Sequence, residues 1–356
     1  MSLFGAAFSL TRPFLHRRDA EEAHLLTIRA LKCLPPLPVP KSDPRLAQTL
    51  FGLNFPNPLG LAPGFDKNAE VPDAMLRLGF GFVEVGTLTP QSQAGNPKPR
   101  LFRLAEDQAV INRMGFNNEG HREALKRLKR RRSAGIVGIN IGSNKDSVDR
   151  AADYVAGIAA FSDVADYITV NISSPNTPGL RGLQSPKELE SLLKRLNDAR
   201  ATQAKRPAML LKIAPDLGDD EMLDIAACCG NNAVDGVIIS NTTLSRPPLS
   251  SVYGAETGGL SGRPLFALST RQLAKFYLIS NGLIPLIGVG GIENDATAIA
   301  KIEAGASLLQ IYSALVYRGP QLIAEILRAL TNSRLTLQQL RGSRAEEFSH
   351  QTDAGK

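Results

Sequence analysis

After residue 40, short apolar segments alternate with helical segments along almost the whole chain, and this alternation constrains the fold more than any other feature. Each apolar segment is four to six residues long, the length of a buried parallel strand. The apolar segments are 59–62, 82–85, 136–141, 167–171, 209–213, 236–240, 286–289 and 308–311. Helical segments between and after them include 72–78, 119–130, 186–200, 219–228, 264–279, 295–304 and 320–330. Eight strand–helix units predict an α/β fold, a closed (β/α)8 TIM barrel.

The first 40 residues form a separate, helical N-terminal extension. Two amphipathic helices are predicted at about 3–16 and 19–32, followed by the stiff linker LPPLPVP at 34–40. These helices either pack on the barrel or serve as a lid or an interfacial membrane anchor. No segment approaches the roughly 18 apolar residues of a membrane span, and no convincing cleavage site follows, so we expect a retained N-terminus. The predicted units are 1–40, a barrel at 41–335 and a polar tail at 336–356, frayed from about Thr331.

The formal net charge of +7 favours anionic partners such as a phosphate, an acidic substrate or anionic lipid. Much of it is local, in the run KRLKRRR at 126–132. Because no aromatic residues interleave this run, a solvated helix end is favoured over a nucleic-acid site, and no nucleic-acid partner is expected. The three cysteines show no CxxC spacing, so neither a disulfide framework nor a metal site is expected.

Polar residues and glycines follow every predicted strand, at the end of a barrel where active sites lie. Polar side chains there contribute little to a core, so their convergence indicates a binding site. The strand ends carry APGFDKN at 62–68, GT at 86–87, Asn140, NISSPNTPGLRG at 171–182, Lys212 within LKIAPD, SNTT at 240–243, GVGGI at 288–292 and QIYSA at 310–314.

The last two strand ends predict a phosphate-bearing cofactor, because glycines and a hydroxyl stand where barrels commonly hold a phosphate. GVGGI alone could also serve only a tight turn. Lys212 either pairs structurally with Asp66 or another carboxylate, or lies beside a cofactor that becomes anionic when reduced. The asparagines of 171–176 and of NRMGFNN at 112–118 can bind a planar ligand with amide and carbonyl groups, although one or two could cap turns.

These motifs, together with GGLSGRPL and QIYSALVY, strongly resemble the dihydroorotate dehydrogenases in order and spacing, over roughly residues 20–330. The N-terminal extension and NISSPN resemble the membrane-associated, quinone-linked class. The soluble classes lack the extension, and one of them has cysteine at the position of Ser174. The resemblance implies oxidation of dihydroorotate to orotate in pyrimidine biosynthesis, with a membrane quinone as final acceptor. It also implies peripheral association with the cytoplasmic side of the inner membrane.

The resemblance also implies roles for individual residues. Ser174 would be the base that takes a proton from C5 while C6 passes hydride to the flavin, with Thr177 and Lys67 assisting. FMN would be held by Ala62, Gly64, Thr87, Asn140, Asn171, Lys212, Ser240, Gly262, Gly291, Tyr312 and Ser313. The dihydroorotate would be held by Lys67, Asn112, Arg113, Met114, Gly115, Phe116, Asn171, Asn176, Asn241 and Thr242. The quinone end would be lined by His24, Arg103 and Tyr312.

Two other functions compete with this interpretation. A flavin barrel of the dihydrouridine synthase type, acting on RNA, would use the basic surface but would need a cysteine acid near the flavin. No cysteine stands at a predicted strand end. A barrel that only binds a ligand would not require Lys67, Ser174 and Lys212 together.

Overall fold

A barrel of eight parallel strands forms the centre of the molecule in the computed structural model, which describes residues 3–35 and 38–351. The fold class predicted from the alternating pattern is confirmed, and each predicted apolar segment lies on a barrel strand. The barrel strands are β3 (Leu59–Leu61), β4 (Phe82–Leu88), β7 (Ile136–Ile141), β8 (Tyr167–Asn171), β9 (Ala208–Ile213), β10 (Gly236–Ile239), β12 (Leu286–Val289) and β13 (Leu308–Ile311). Strand β13 pairs with β3 and closes the barrel.

Helices follow the barrel strands and form the outer layer. They run from α3 (Pro72–Arg77) through α4 (Gly120–Lys129), α5 (Arg150–Phe161), α6 (Pro186–Ala201), α7 (Asp219–Asn231), α8 (Phe266–Ile279) and α9 (Asp295–Glu303) to α10 (Ser313–Arg318) and α11 (Gln321–Asn332). The basic run lies at the C-terminal end of α4, as predicted. Three of its side chains pair with carboxylates, Lys126 with Glu123, Arg127 with Glu119 and Arg131 with Asp73.

Aromatic rings packed against glycines fill the amino end of the barrel. A Cβ atom at Gly138 would lie 2.0 Å from the ring of Tyr167, and one at Gly60 would lie 2.3 Å from the ring of Phe82. Only glycine leaves space for these rings inside so narrow a barrel. Phe55 stacks edge-on against Phe82 at 5.2 Å. It comes from a hairpin of β1 (Gln48–Leu50) and β2 (Leu53–Phe55).

A second small sheet lies at the opposite, carboxyl end of the barrel and was not predicted from the sequence. Its strands are β5 (Leu101–Leu104), β6 (Ala109–Asn112) and β11 (Gly259–Gly262), in the order β11–β6–β5. The strands come from the long connections after β4 and β10, so the sheet joins two distant loops. It places Asn112 and Gly262 beside the barrel mouth.

The two N-terminal helices are confirmed as α1 (Leu3–His16) and α2 (Ala20–Lys32). The Asp19 carboxylate caps α2 by accepting from two backbone N–H groups. Helix α1 is attached by Arg12, which donates to the carbonyl of Tyr317, and by His16, which contacts the carbonyl of Val316 at 2.9 Å. Part of the predicted linker, residues 36–37, lies outside the described residues. No helix in the described segments is long and apolar enough to cross a bilayer.

The expectation of a frayed tail from about Thr331 is wrong for the residues described. Two short helices, α12 (Leu337–Leu340) and α13 (Ala345–Ser349), follow α11. Leu340 and Phe348 are buried against the barrel helices. A few apolar residues on one face pack this polar segment against the barrel helices. The overall polar composition of the segment did not reveal this packing. Residues 352–356 lie outside the described part of the chain.

Candidate active site

One cavity of about 670 Å³ opens at the carboxyl ends of the barrel strands and continues to α1 and α2. It brings together residues from seven of the eight strand ends, all except that of β7, and from both N-terminal helices. The predicted site residues that line it are His24, Ala62, Gly64, Lys67, Thr87, Arg103, Asn112, Met114, Gly115, Phe116, Asn171, Ser174, Asn176, Lys212, Ser240, Asn241, Thr242, Gly262, Gly291, Tyr312 and Ser313.

Three predicted site residues do not line this cavity. Asn140 lies behind its wall, where it contacts Thr87 and a buried carboxylate. Thr177 is buried in the loop after β8. The Arg113 side chain points away, because its guanidinium pairs with Glu256 at 2.7 Å and stacks on the Phe102 ring. The Arg113 backbone is also occupied, since its N–H donates to the Arg100 carbonyl at 2.9 Å and its carbonyl accepts from Asn96 Nδ2 at 2.9 Å.

A network of amide and hydroxyl groups forms the cavity wall at β4, β7 and β8. Thr87 Oγ1 donates to Asn140 Oδ1 at 2.6 Å, and Asn171 Nδ2 donates to Thr87 Oγ1 at 3.0 Å. Asn241 Nδ2 contacts Asn171 Oδ1 at 3.3 Å and Ser173 Oγ at 3.0 Å. Because each amide is oriented by its neighbours, the wall presents fixed donors and acceptors to a planar ligand.

A buried carboxylate, that of Glu84 on β4, accepts hydrogen bonds from this network inside the barrel. Its role was not predicted from the sequence. Its oxygens accept from Asn140 Nδ2 at 2.8 Å, the Tyr167 hydroxyl at 3.0 Å and Gln310 Nε2 at 2.7 Å. A charged residue inside the otherwise apolar strand FVEVGTL was the available signal, since such residues are rarely buried without partners.

Lys212 of β9 is buried, and its ammonium is directed at the cavity. Burial lowers its pKa, and the negative charge of Glu84 partly opposes that shift. Asp66, the structural partner considered from the sequence, instead accepts from the backbone N–H groups of Glu70 and Val71, both at 2.8 Å. Within the described residues, no group hydrogen-bonds the Lys212 ammonium. An unpaired buried cation requires a ligand in the cavity.

Lys67 and Ser174 face the cavity from the loops after β3 and β8. Lys67 Nζ donates to the carbonyl of Gly64 at 2.6 Å. Burial lowers the pKa of Lys67 to about 8, although the charge of Glu21 partly opposes the shift. Ser174 is only 5% exposed, and its Oγ accepts from the Asn176 backbone N–H at 3.3 Å. Asn176 Nδ2 in turn donates to Asn112 Oδ1 at 3.2 Å. A small anion could therefore contact a lysine, a desolvated hydroxyl and several amides.

A cradle of glycines and hydroxyls lies at the ends of β12 and β13. Gly290 and Gly291 have φ angles of 106° and 74°, which favour glycine. A Cβ atom at Gly291 would also lie 2.5 Å from Cα of Phe266, so a larger residue would be obstructed. The hydroxyls of Ser261 and Ser313 contact each other at 2.8 Å beside this turn. Backbone N–H groups and hydroxyls in this arrangement fit a phosphate group.

Aromatic rings connect the barrel mouth to the N-terminal helices. The ring of His24 stacks edge-on against Phe65 at 5.4 Å, and Phe65 stacks against Tyr312 at 5.7 Å. Burial holds the pKa of His24 well below its ordinary value, so the imidazole is neutral near pH 7. The outer cavity is otherwise apolar, lined by residues such as Phe8 and Leu26. It suits an uncharged, lipid-soluble ligand.

The Arg103 guanidinium is largely occupied at this outer end. It donates to the carbonyls of Leu15 at 2.9 Å and His16 at 3.2 Å, and also to that of Arg18. These carbonyls lie at the C-terminal end of α1, where a cation is favourable. Arg103 therefore holds the connection between α1 and α2 as well as lining the cavity.

Several cavity residues were not singled out from the sequence, among them Ser261, Gln310 and Arg263. Ser261 lies on the small sheet, whose strands follow no long apolar pattern. Gln310 was visible as a polar residue at the end of the eighth predicted strand, but its contact with Glu84 depends on the closure of the barrel.

Comparison with known proteins gives consistent matches over most of the chain. The family model described as dihydroorotate dehydrogenase matches residues 45–333. The relatives named "dihydroorotate dehydrogenase (quinone)" include one from Rhodopseudomonas palustris (strain BisB5), 56% identical over 337 residues and covering 92% of each chain. Another, from Brucella melitensis biotype 2, is 57% identical and covers 91% of each chain.

Solved structures give the same likeness. The structure of the Eimeria tenella protein in complex with ferulenol matches with a TM-score of 0.86 and 40% identity, covering 91% of this chain and 95% of that one. The ligand-free Eimeria tenella structure matches with a TM-score of 0.86 and 41% identity, covering 91% and 99%.

Proposed function

This chain belongs to the dihydroorotate dehydrogenase family, as an enzyme of its quinone class, and we propose that it oxidises (S)-dihydroorotate to orotate with FMN and a membrane quinone. The reaction would serve de novo pyrimidine (UMP) synthesis. The observation that carries the proposal is the single cavity, which holds Lys67, Ser174 and Lys212 at one end and an apolar opening between α1 and α2 at the other. An anionic donor would occupy the polar end of this cavity and a lipid-soluble acceptor its apolar end.

The residues present fit FMN. The glycine turn at Gly290–Gly291, Gly262 and the Ser313 hydroxyl would hold its phosphate. The ring system would lie against Ala62, Gly64, Thr87, Asn171, Lys212, Ser240 and Tyr312. When bound, FMN supplies a two-electron acceptor for hydride. The unpaired Lys212 ammonium would stabilise negative charge on the ring system, and Asn140 would act by orienting Thr87 and Asn171.

The dihydroorotate would be held by the amides on the other side of the cavity. Lys67 would pair with its carboxylate, while Asn112, Asn171, Asn176, Asn241 and Thr242 would match its ring amides and carbonyls. The segment from Met114 to Phe116, which lines the cavity, would complete this surface, whereas the Arg113 side chain is committed to Glu256.

Ser174 would act as the base. Its Oγ would take the proton from C5 while hydride leaves C6, so that the C5–C6 single bond becomes the double bond of orotate. Serine is a weak base in water. The proton transfer therefore depends on the burial of Ser174 away from water and on passing its own hydroxyl proton to a neighbouring group. Lys67, with its pKa near 8, and the buried Thr177 would serve that relay.

Quinone would enter through the apolar end, near His24, Arg103 and Tyr312. Leu10 and Phe14 on α1 are 83% and 55% exposed and would rest on a lipid surface. Residues 1–40 would thus form the access segment and 41–335 the FMN barrel. The polar C-terminal tail, 336–356, packs on the barrel through α12 and α13. We propose a peripheral position on the cytoplasmic side of the inner membrane, which the exposed apolar residues of α1 support only as far as contact with lipid.

The proposal is tested with the purified full-length chain and a panel of electron acceptors. Denaturation should release FMN, and steady-state oxidation of dihydroorotate should be supported by quinone far better than by fumarate or NAD. A folded, colourless protein that cannot be reconstituted with FMN would refute the assignment. Equal rates with fumarate or NAD would place the chain in another class.

A further inference from the structure

A second buried lysine, Lys301 on α9, has no role in the chemistry described above. Its side chain is fully buried. Nζ donates to Ser269 Oγ at 2.7 Å and lies over the Phe266 ring, 5.3 Å from its centroid. Among the described residues, no carboxylate pairs with it. Glu303 on the same helix pairs with Arg344, Glu293 pairs with Arg263, and Glu325 pairs with Arg318.

A buried ammonium with no anionic partner is unfavourable, because burial penalises the charged form. Burial alone holds the pKa of Lys301 well below its ordinary value. A hydrophobic residue of the same length would avoid this cost. The position of Lys301 relative to the cavity suggests why a lysine stands there.

Lys301 lies directly behind the glycine turn at the end of β12, separated from it by two residues of α8. The first, Ser269, receives the Lys301 hydrogen bond, and its Oγ lies 3.1 Å from the carbonyl of Gly290. The second, Phe266, lies between Lys301 and Gly291, where an added Cβ would meet Cα of Phe266 at 2.5 Å. Each glycine of the turn therefore lies against an α8 residue that also contacts the Lys301 ammonium.

We propose that Lys301 is a positioning residue for the cofactor phosphate, a buried cation that stabilises a phosphate dianion bound on the Gly290–Gly291 turn. This inference rests on the proposed function, since it takes that turn as the phosphate site. The ammonium donates to Ser269 Oγ, so the serine hydroxyl keeps its own proton for the surrounding carbonyls, those of Leu265 at 2.8 Å, Phe266 at 3.2 Å and Gly290 at 3.1 Å. This cluster holds the glycine turn against the start of α8. The positive charge also acts on the phosphate through a dry, poorly screening interior.

The first test compares FMN with riboflavin, which lacks the phosphate, on flavin-free full-length protein. Lys301→Met should weaken FMN binding by roughly tenfold or more while leaving riboflavin affinity unchanged. Lys194→Met, which removes an exposed lysine from α6, should alter neither affinity. Equal losses for both flavins, or no loss for either, would overturn the proposal. Failure of the wild-type protein to bind either flavin would instead refute the proposed function.

The second test needs no folded variant. At about pH 8 a phosphate monoester is already a dianion, so proton uptake on binding comes from the protein. Burial favours the neutral form of Lys301 before the phosphate binds, and the bound phosphate favours the charged form. Calorimetry in buffers of different ionisation enthalpy should therefore show that wild-type protein takes up more protons with FMN than with riboflavin. Lys67, whose pKa is about 8, faces the cavity and should contribute equally with both flavins. Equal uptake with FMN and riboflavin would overturn the proposal.

Discussion

The charge on Lys67 should control how tightly the active site binds an anion, and its pKa of about 8 makes that control visible as a pH dependence. At pH 7 about nine in ten molecules would carry the charge, and at pH 10 about one in a hundred. A charge-assisted hydrogen bond to a carboxylate contributes about 1.5–3 kcal/mol, or roughly 10- to 150-fold in affinity. The Kd for orotate should therefore be flat below pH 8 and rise above it.

The assay is titration of the flavin spectrum with orotate between about pH 6 and 10, where no chemistry intervenes. Wild-type affinity should approach that of Lys67→Met at high pH, because both then lack the charge. The variant should bind orotate roughly 10- to 150-fold more weakly at pH 7. Any titration of the ligand itself would appear in both proteins. A wild-type Kd that follows the same curve as Lys67→Met would refute the reasoning.

Three further perturbations test the base, the barrel core and the quinone access. Ser174→Ala should retain its flavin, but its flavin reduction at neutral pH should be about 10²–10⁴-fold slower, and Ser174→Cys should be partly active. A normal rate of flavin reduction in the alanine variant would mean that another residue is the base. Gly138→Ala should lower the free energy of unfolding by roughly 1–3 kcal/mol in denaturant titration, because the added Cβ would overlap the Tyr167 ring. Gly230→Ala is the control and should be neutral or slightly stabilising, because its added Cβ would have no neighbour within 4 Å. Removal of residues 1–38 should leave dye-linked oxidation of dihydroorotate intact. It should sharply reduce turnover with a long-chain quinone and recovery of the protein in the membrane fraction. An unchanged ratio of the quinone-linked rate to the dye-linked rate would contradict quinone access through α1 and α2.

The barrel could be predicted from sequence because its strands are buried on both faces and appear as uninterrupted apolar runs. The small sheet of β5, β6 and β11 could not, since its strands are only four residues long and β11 pairs with β6 across more than 140 residues of chain. The tail was misjudged for a related reason: its polar composition conceals the few residues, such as Leu340 and Phe348, that pack on the barrel.

The proximity of the strand-end residues could be predicted from the sequence, because a parallel barrel brings those ends together whatever the details of packing. Side-chain direction could not be predicted. Arg113 follows Asn112 directly, yet it turns outward to Glu256. The carboxylate whose charge acts on Lys212 is Glu84 rather than Asp66, because closure of the barrel places β4 and β9 around one interior.

The most direct test of the account follows the two half-reactions on the full-length enzyme without oxygen. Addition of dihydroorotate should bleach the flavin absorbance and yield orotate in equal amount to the flavin. Subsequent addition of quinone alone should restore the absorbance, while NAD or fumarate should not. Absence of bleaching, or recovery with NAD or fumarate rather than quinone, would contradict the assignment of one cavity to both an anionic donor and a lipid-soluble acceptor.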